Sequence, residues 1–175
     1  NIFSMCLIAE QNIMAIGSLQ GTLYFIDLNN KKVLTPSIQL PKTIYDIKRF
    51  KEQLFVGSAD GLLTIFDVES RQIQKAIRIS NKSIRHIDFH PKQAIAAIAC
   101  SDHHIYIFDV EKQQVIDRLS HHQNSVFSVK FGFDGQYLLS GSRDAQLCVW
   151  SAQNITFQLK NSLAAHLFTI NSLAL

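Results

Sequence analysis

A chain of 175 residues with 47% hydrophobic and 18% charged residues is long enough to bury a core and too apolar to stay disordered. Its 17 Lys and Arg against 14 Asp and Glu leave a net charge of +3, spread without runs of like charge, which argues against a nucleic-acid or membrane partner. Three distant cysteines, Cys6, Cys100 and Cys148, read as small strand hydrophobes; without a disulfide framework they point to a soluble, cytoplasmic setting.

No apolar run approaches the 18 residues of a membrane helix, and the start at Asn1 leaves a removed leader open. From the N-terminus onward, one pattern repeats. Residues 17–28 read GSLQGTLYFIDL, 57–68 GSADGLLTIFDV, 99–110 ACSDHHIYIFDV and 141–152 GSRDAQLCVWSA. Their closing apolar residues, Ile26, Phe66, Phe108 and Trp150, are spaced 40, 42 and 42 residues apart. A second landmark keeps the same period: Ile44/Ile47, Ile84/Ile87, Val126/Val129 and Ile170/Leu173. A fixed period of this length marks a repeat architecture.

Within each period the elements are short strands and no helix. Residues 54–56 lead through Ser58 to Gly61 into 62–66, and Asp-Gly between apolar runs signals a hairpin. Residues 89–92 and 131–135 mark the turn before such a pair; the polar clusters 28–32, 68–71 and 110–113 mark the turn after it. Residues 115–119 add the last strand of their unit. Four antiparallel strands every 40 to 45 residues predict an all-β fold of β-propeller blades, with boundaries at 1–40, 41–80, 81–121 and 122–165 and the start of a fifth at 166–175.

These residues resemble the WD repeats, whose motif runs from a Gly-His pair through a turn aspartate to a closing Trp-Asp. The fourth unit is nearest, with His122, Ser140 or Ser142, Asp144 and Trp150. Its Gly-His has become His121-His122, and Ser151 stands for the final Asp. Units two and three keep the turn residues Asp60 and Asp102 but lack the His; unit one has Gln20 and Ile26 at the aspartate and Trp positions. The resemblance implies that His122, the serine, Asp144 and Trp150 form a hydrogen-bonded structural set, and that the blades belong to a ring of seven. Two explanations stand for the shortfall: a portion of a longer propeller, or two copies joined as a homo-dimeric ring.

The histidines and carboxylates are the candidates for chemistry. On a strand, His86 and His90 stand roughly 13 Å apart, too far to share an ion. His103 and His104 are strand neighbours on opposite faces, so no metal is predicted. The turn aspartates recur once per blade, as architecture does. Ser58 and Ser142 lack a Gly-x-Ser-x-Gly elbow, and no Gly-rich phosphate loop precedes a helix. The expectation is no catalysis and no cofactor.

In the resembling family, partners bind the rim around the central channel. The varying residues there are Tyr45, Arg85 and Phe127 at the start of the first strands and Arg143 before the turn aspartate. Large aromatics and arginine suit binding hot spots, so these four are predicted to form one contact patch for a protein or peptide. The sequence therefore reads as a non-catalytic scaffold. The alternative is the propeller portion of an enzyme or signalling protein whose active domain lies outside this segment.

Overall fold

Alternating apolar residues in runs of six to nine, separated by tight turns, dictate antiparallel hairpins. The computed structural model, which describes residues 1–153 and 155–174, shows four sheets of four such strands. The first sheet holds β1 (Ile2–Ile8), β2 (Ile13–Ser18), β3 (Thr22–Asp27) and β4 (Lys32–Gln39). The second holds β5 (Ile44–Phe50), β6 (Gln53–Ser58), β7 (Leu62–Asp67) and β8 (Ile73–Arg78). The third holds β9 (Ile84–Phe89), β10 (Ile95–Cys100), β11 (His104–Asp109) and β12 (Gln114–Ser120), and the fourth β13 (Val126–Gly132), β14 (Tyr137–Ser142), β15 (Gln146–Gln153) and β16 (Thr156–Ala164). Each is a meander in chain order. Two single 3₁₀ turns, Ala9–Gln11 and Phe133–Gly135, are the only helical elements among the described residues.

The chain divides into two compact units, Asn1–Ile84 and Arg85–Leu175. In the first, Ala15, Leu23 and Phe25 of the first sheet bury against Ile44, Ile47, Leu54, Val56 and Phe66 of the second. In the second, Ala97, Ala99, Ile105 and Ile107 meet Val126, Val129, Leu138, Cys148 and Trp150. Inner strands are buried and the outermost strands exposed: β10 is buried along its whole length, while β8 is exposed at most positions.

Close approach between sheets depends on a small residue in each second strand. A Cβ added at Gly141 would lie 2.4 Å from Ile170 Cγ2, and one at Gly17 would lie 2.4 Å from Ile44 Cγ2. The third sheet has Ala99 at this position, and the residue that takes the isoleucine's place in its cluster is the smaller Val126. The turn between second and third strands is left-handed at one recurring position: φ is +85° at Gly21, +81° at Gly61, 76° at His103 and 65° at Ala145. At Gly61 a side chain would also strike the Ser80 carbonyl at 2.1 Å, so glycine is required there for space as well as for φ.

The expected start of a fifth blade forms no strand among its described residues; Leu175, at its end, lies outside them. A lone strand has no ladder partner. The segment nevertheless docks on the fourth sheet. Ile170 is buried and its N–H donates to the Ser142 carbonyl at 3.0 Å, while the Leu173 N–H donates to Ser128 Oγ at 3.1 Å.

Candidate functional site

Two arrangements carry the chemistry-bearing side chains. The first lies inside the fourth sheet. His122 comes from the connection before β13, Ser140 from β14, Trp150 from β15 and Asp144 from the turn between those strands. Trp150 Nε1–H donates to Ser140 Oγ at 2.9 Å, His122 Nε2 lies 2.8 Å from the same oxygen, and His122 Nδ1 lies 3.0 Å from Asp144 Oδ2. A neutral imidazole protonated at Nδ1 satisfies every group: indole to hydroxyl, hydroxyl to Nε2, Nδ1–H to carboxylate. Burial holds the His122 pKa below its ordinary value, against the opposing pull of the Asp144 charge and hydrogen bond. For Asp144, burial pushes the pKa up, but the N–H groups of Gln123 and Gln146 at 2.8 and 2.9 Å, with the imidazole, outweigh it and leave the carboxyl below the usual range.

Of the two candidate serines, Ser140 is the one in this relay. Ser142 instead pins the turn: its Oγ donates to the Asn124 carbonyl at 3.1 Å and accepts the Asp144 N–H at 3.1 Å. Asp60 accepts from Ser58 Oγ at 2.6 Å, and Asp102 accepts from the Tyr106 hydroxyl at 2.7 Å and the His104 N–H at 3.2 Å.

Ser140, His122 and Asp144 have the order of contacts found in a nucleophilic triad. The surroundings are opposite to those a nucleophile needs. Ser140 is fully buried and its oxygen is occupied by the indole N–H. Cys148, 3.9 Å from His122 Nδ1, is also buried, and burial pushes its thiol pKa up, away from the reactive thiolate. Among the described residues no group of three His, Cys, Asp or Glu side chains could hold a metal ion. Cys100 and Cys148 are buried free thiols; Cys6, expected to be buried, is only partly so, on β1, whose residues are mostly exposed.

The second arrangement is a repeated bulge at the start of the first strands. The ladder skips a residue between Ile2 and Ser4, between Ile44 and Asp46, and between Val126 and Ser128. The residues set out of register are Phe3, Tyr45 and Phe127; bulges of this kind re-aim a side chain. Arg85 occupies the same position in β9. In the first unit Phe3 and Tyr45 meet edge to face with ring centroids 5.4 Å apart. In the second, the Arg85 guanidinium sits 4.6 Å from the Phe127 ring centroid. Arg143 is exposed at the adjoining turn, its N–H donating to the Ser125 carbonyl two residues before Phe127. Arg85, Phe127 and Arg143 thus fall together in the second unit, while Tyr45 packs on Phe3 in the first. Phe3 stands one period before Tyr45 in the sequence.

Also unforeseen is a polar clasp one residue further along. Ser4 Oγ accepts the Ile47 N–H at 2.9 Å, His86 Nδ1 lies 3.3 Å from the Val129 nitrogen, and Ser128 Oγ accepts the Leu173 N–H. Its mark in the sequence is a polar residue two positions after the leading apolar residue of each first strand: Ser4, Asp46, His86 and Ser128.

Successive four-stranded meanders, each built on one repeat and three of them with a turn aspartate, are the blades of a WD-type β-propeller. Residues 73–109 and 113–151 match the family model described as WD domain, G-beta repeat, and over this stretch the chain carries WD repeats. It is 27% identical over 144 residues to guanine nucleotide-binding protein subunit beta-like protein 1 of Mus musculus, covering 79% of this chain and 44% of that protein. It is 25% identical over 155 residues to the U3 small nucleolar RNA-associated protein 21 homolog of Schizosaccharomyces pombe, covering 86% and 17%. The chain therefore spans less than half the length of either. A chain in the crystal structure of the Mitotic Checkpoint Complex superposes with a TM-score of 0.79 at 20% identity, over 94% of this chain and 50% of that one; this likeness shows the fold alone.

Proposed function

We propose that this chain is a non-catalytic scaffold that binds protein or peptide partners along the bulged side chains of its first strands. The observation that carries the reading is the division of labour between the two arrangements. The relay side chains in triad-like order, Ser140 and His122, and the neighbouring Cys148 are sealed in the blade interior. The bulged side chains Phe3, Tyr45 and Phe127, Arg85 at the same position in β9 and Arg143 at the adjoining turn remain at least partly accessible. Planar, amphipathic side chains held by a rigid scaffold are what binding hot spots are made of. Relatives with names as varied as pre-mRNA-processing factor 19 and protein transport protein sec31 share the repeat, which supports an architecture reused for assembly. Three free thiols suit a reducing compartment such as the cytoplasm.

The test is a variant carrying Tyr45→Ala, Arg85→Ala, Phe127→Ala and Arg143→Ala. Affinity capture followed by mass identification is expected to show loss of the partners held by the wild-type chain, at an unchanged melting temperature. Retention of every partner would remove the reading.

A further inference from the structure

In the second unit an imidazole closes the joint between the third and fourth sheets. Just after β9, His90 is buried, and its Nδ1 accepts the N–H groups of Lys92 and Gln93, each at 3.1 Å. A ring nitrogen that accepts hydrogen bonds carries no proton, so the ring is neutral and Nε2 is its donor. That edge meets the fourth sheet: the imidazole hydrogen-bonds to the Gly135 backbone, and a side chain at Gly135 would strike Nε2. The ring also stands edge to face with the buried Phe131, centroids 5.1 Å apart. One neutral ring thus shapes the 90–93 turn, ties it to the Phe133–Gly135 turn and covers part of the core. The charged groups around it are matched with one another. Asp88 accepts from Lys130 and from the Phe131 N–H, both at 2.8 Å, and His86 lies against Val129. Lys92 pairs with Asp134 of the facing turn at 2.9 Å, and Lys112 with Asp109 on the neighbouring turn at 3.3 Å. Among the described residues no carboxylate bonds to the imidazole, and the charge that acts on it is that of Lys92. In the first unit the same repeat position is Ile8, buried as hydrocarbon.

We infer that the His90 turn is an acid-released latch between the third and fourth sheets: a proton on Nδ1 ends its bonds to Lys92 and Gln93, the turn parts from Gly135, and Phe131 is uncovered. Protonation turns the acceptor into a donor that faces two N–H groups, so the closed turn and an imidazolium exclude each other. The Lys92–Asp134 pair does not replace the latch, because both side chains are exposed and such pairs contribute little. Burial holds the His90 pKa below its ordinary value. The opened turn takes up a proton near pH 6.5, so the latch is fully closed above that pH and weakens as the pH falls below it. Asp134, held below the usual carboxylate range by Lys92, keeps its charge through this window.

The experiment is hydrogen–deuterium exchange of the 175-residue chain between pH 7.5 and 5.5, read by mass spectrometry and corrected for intrinsic exchange rates. Amides of residues 90–95 and 131–136 are expected to lose protection as the pH falls, while residues 8–13 of the first unit keep theirs. His90→Asn should abolish the loss, since its carboxamide oxygen accepts the two N–H groups and takes no proton at these pH values. Unchanged protection in the wild type, or an equal loss in His90→Asn, overturns the latch. So does a loss spread evenly over both units, which is global unfolding. Should His90→Asn fail to fold, an NMR titration of the wild-type His90 ring decides. Its midpoint should coincide with the loss of protection at Lys92 and Gln93, and separate midpoints overturn the inference.

Discussion

The second and fourth sheets solve the same packing problem with opposite materials. Aligned on their repeats, His122, Ser140 and Trp150 of the fourth correspond to Leu40, Val56 and Phe66 of the second. In the fourth these positions form a buried polar relay ending on Asp144; in the second all three lie in one hydrocarbon cluster, each no more than 5% exposed. The replacement is complete in both directions, with no hydroxyl stranded against leucine and no indole left without an acceptor. Removing both partners of a buried hydrogen bond is nearly neutral, whereas removing one leaves the other desolvated and unpaired. The relay is thus one cooperative unit. It adds direction and specificity to a blade that an apolar set also serves.

Importing one member of the apolar set alone should have the largest effect on the fourth sheet. Ser140→Val should remove the acceptor of the Trp150 N–H and the donor to His122 Nε2 together, lowering stability by about 2–5 kcal/mol. Importing all three members, as His122→Leu, Ser140→Val and Trp150→Phe, should return most of that loss and bring the chain within about 1–2 kcal/mol of wild type. Urea denaturation of the three proteins checks this. A triple variant less stable than Ser140→Val would show that the relay is not interchangeable with the hydrocarbon set.

The turn aspartates give the next effect. Asp144→Ala should cost roughly 1–3 kcal/mol, because it strands the buried Nδ1–H of His122 as well as the Gln123 and Gln146 amides. Asp60→Ala should cost less, about 0.5–1.5 kcal/mol, since its partner Ser58 Oγ has the Leu62 carbonyl 3.0 Å away as an alternative acceptor. Equal denaturation midpoints for the two variants would contradict the distinction.

What was legible in the sequence follows the same line. Strand alternation, the period and the turn residues Asp60, Asp102 and Asp144 are local signals, and they predict all four sheets. The choice between Ser140 and Ser142 is not local. Both point the same way along β14; Ser140 pairs across the ladder with Cys148, one step diagonal from Trp150, and Ser142 sits at the turn. Only the register decides between them. The bulges were equally hidden, because a skipped residue in β1, β5 or β13 leaves the apolar pattern intact while turning Phe3, Tyr45 or Phe127 out of the ladder. Hence the sequence names Tyr45, Arg85 and Phe127 but is silent on the pairing of Phe3 with Tyr45 and of Arg85 with Phe127.

The smallest expected effect separates the two sheets by pH. The His122 pKa is depressed by burial, so the folded chain resists a proton that the unfolded chain accepts near pH 6.5. Its stabilisation is therefore complete above that pH and declines as the pH falls toward the folded-state value. Asp144, also depressed, loses its contribution only further down, below about pH 4. Between pH 7.5 and 5.5 the wild-type denaturation midpoint should fall, and the triple variant, whose fourth sheet carries the second sheet's residues, should fall less. Some slope will remain in it, because burial also depresses the pKa of His90, whose Nδ1 accepts the Lys92 and Gln93 N–H groups at 3.1 Å. Identical slopes for wild type and triple variant would mean that His122 takes up its proton in the folded blade as readily as in the unfolded chain, and the neutral relay drawn from its geometry would have to be redrawn with an imidazolium.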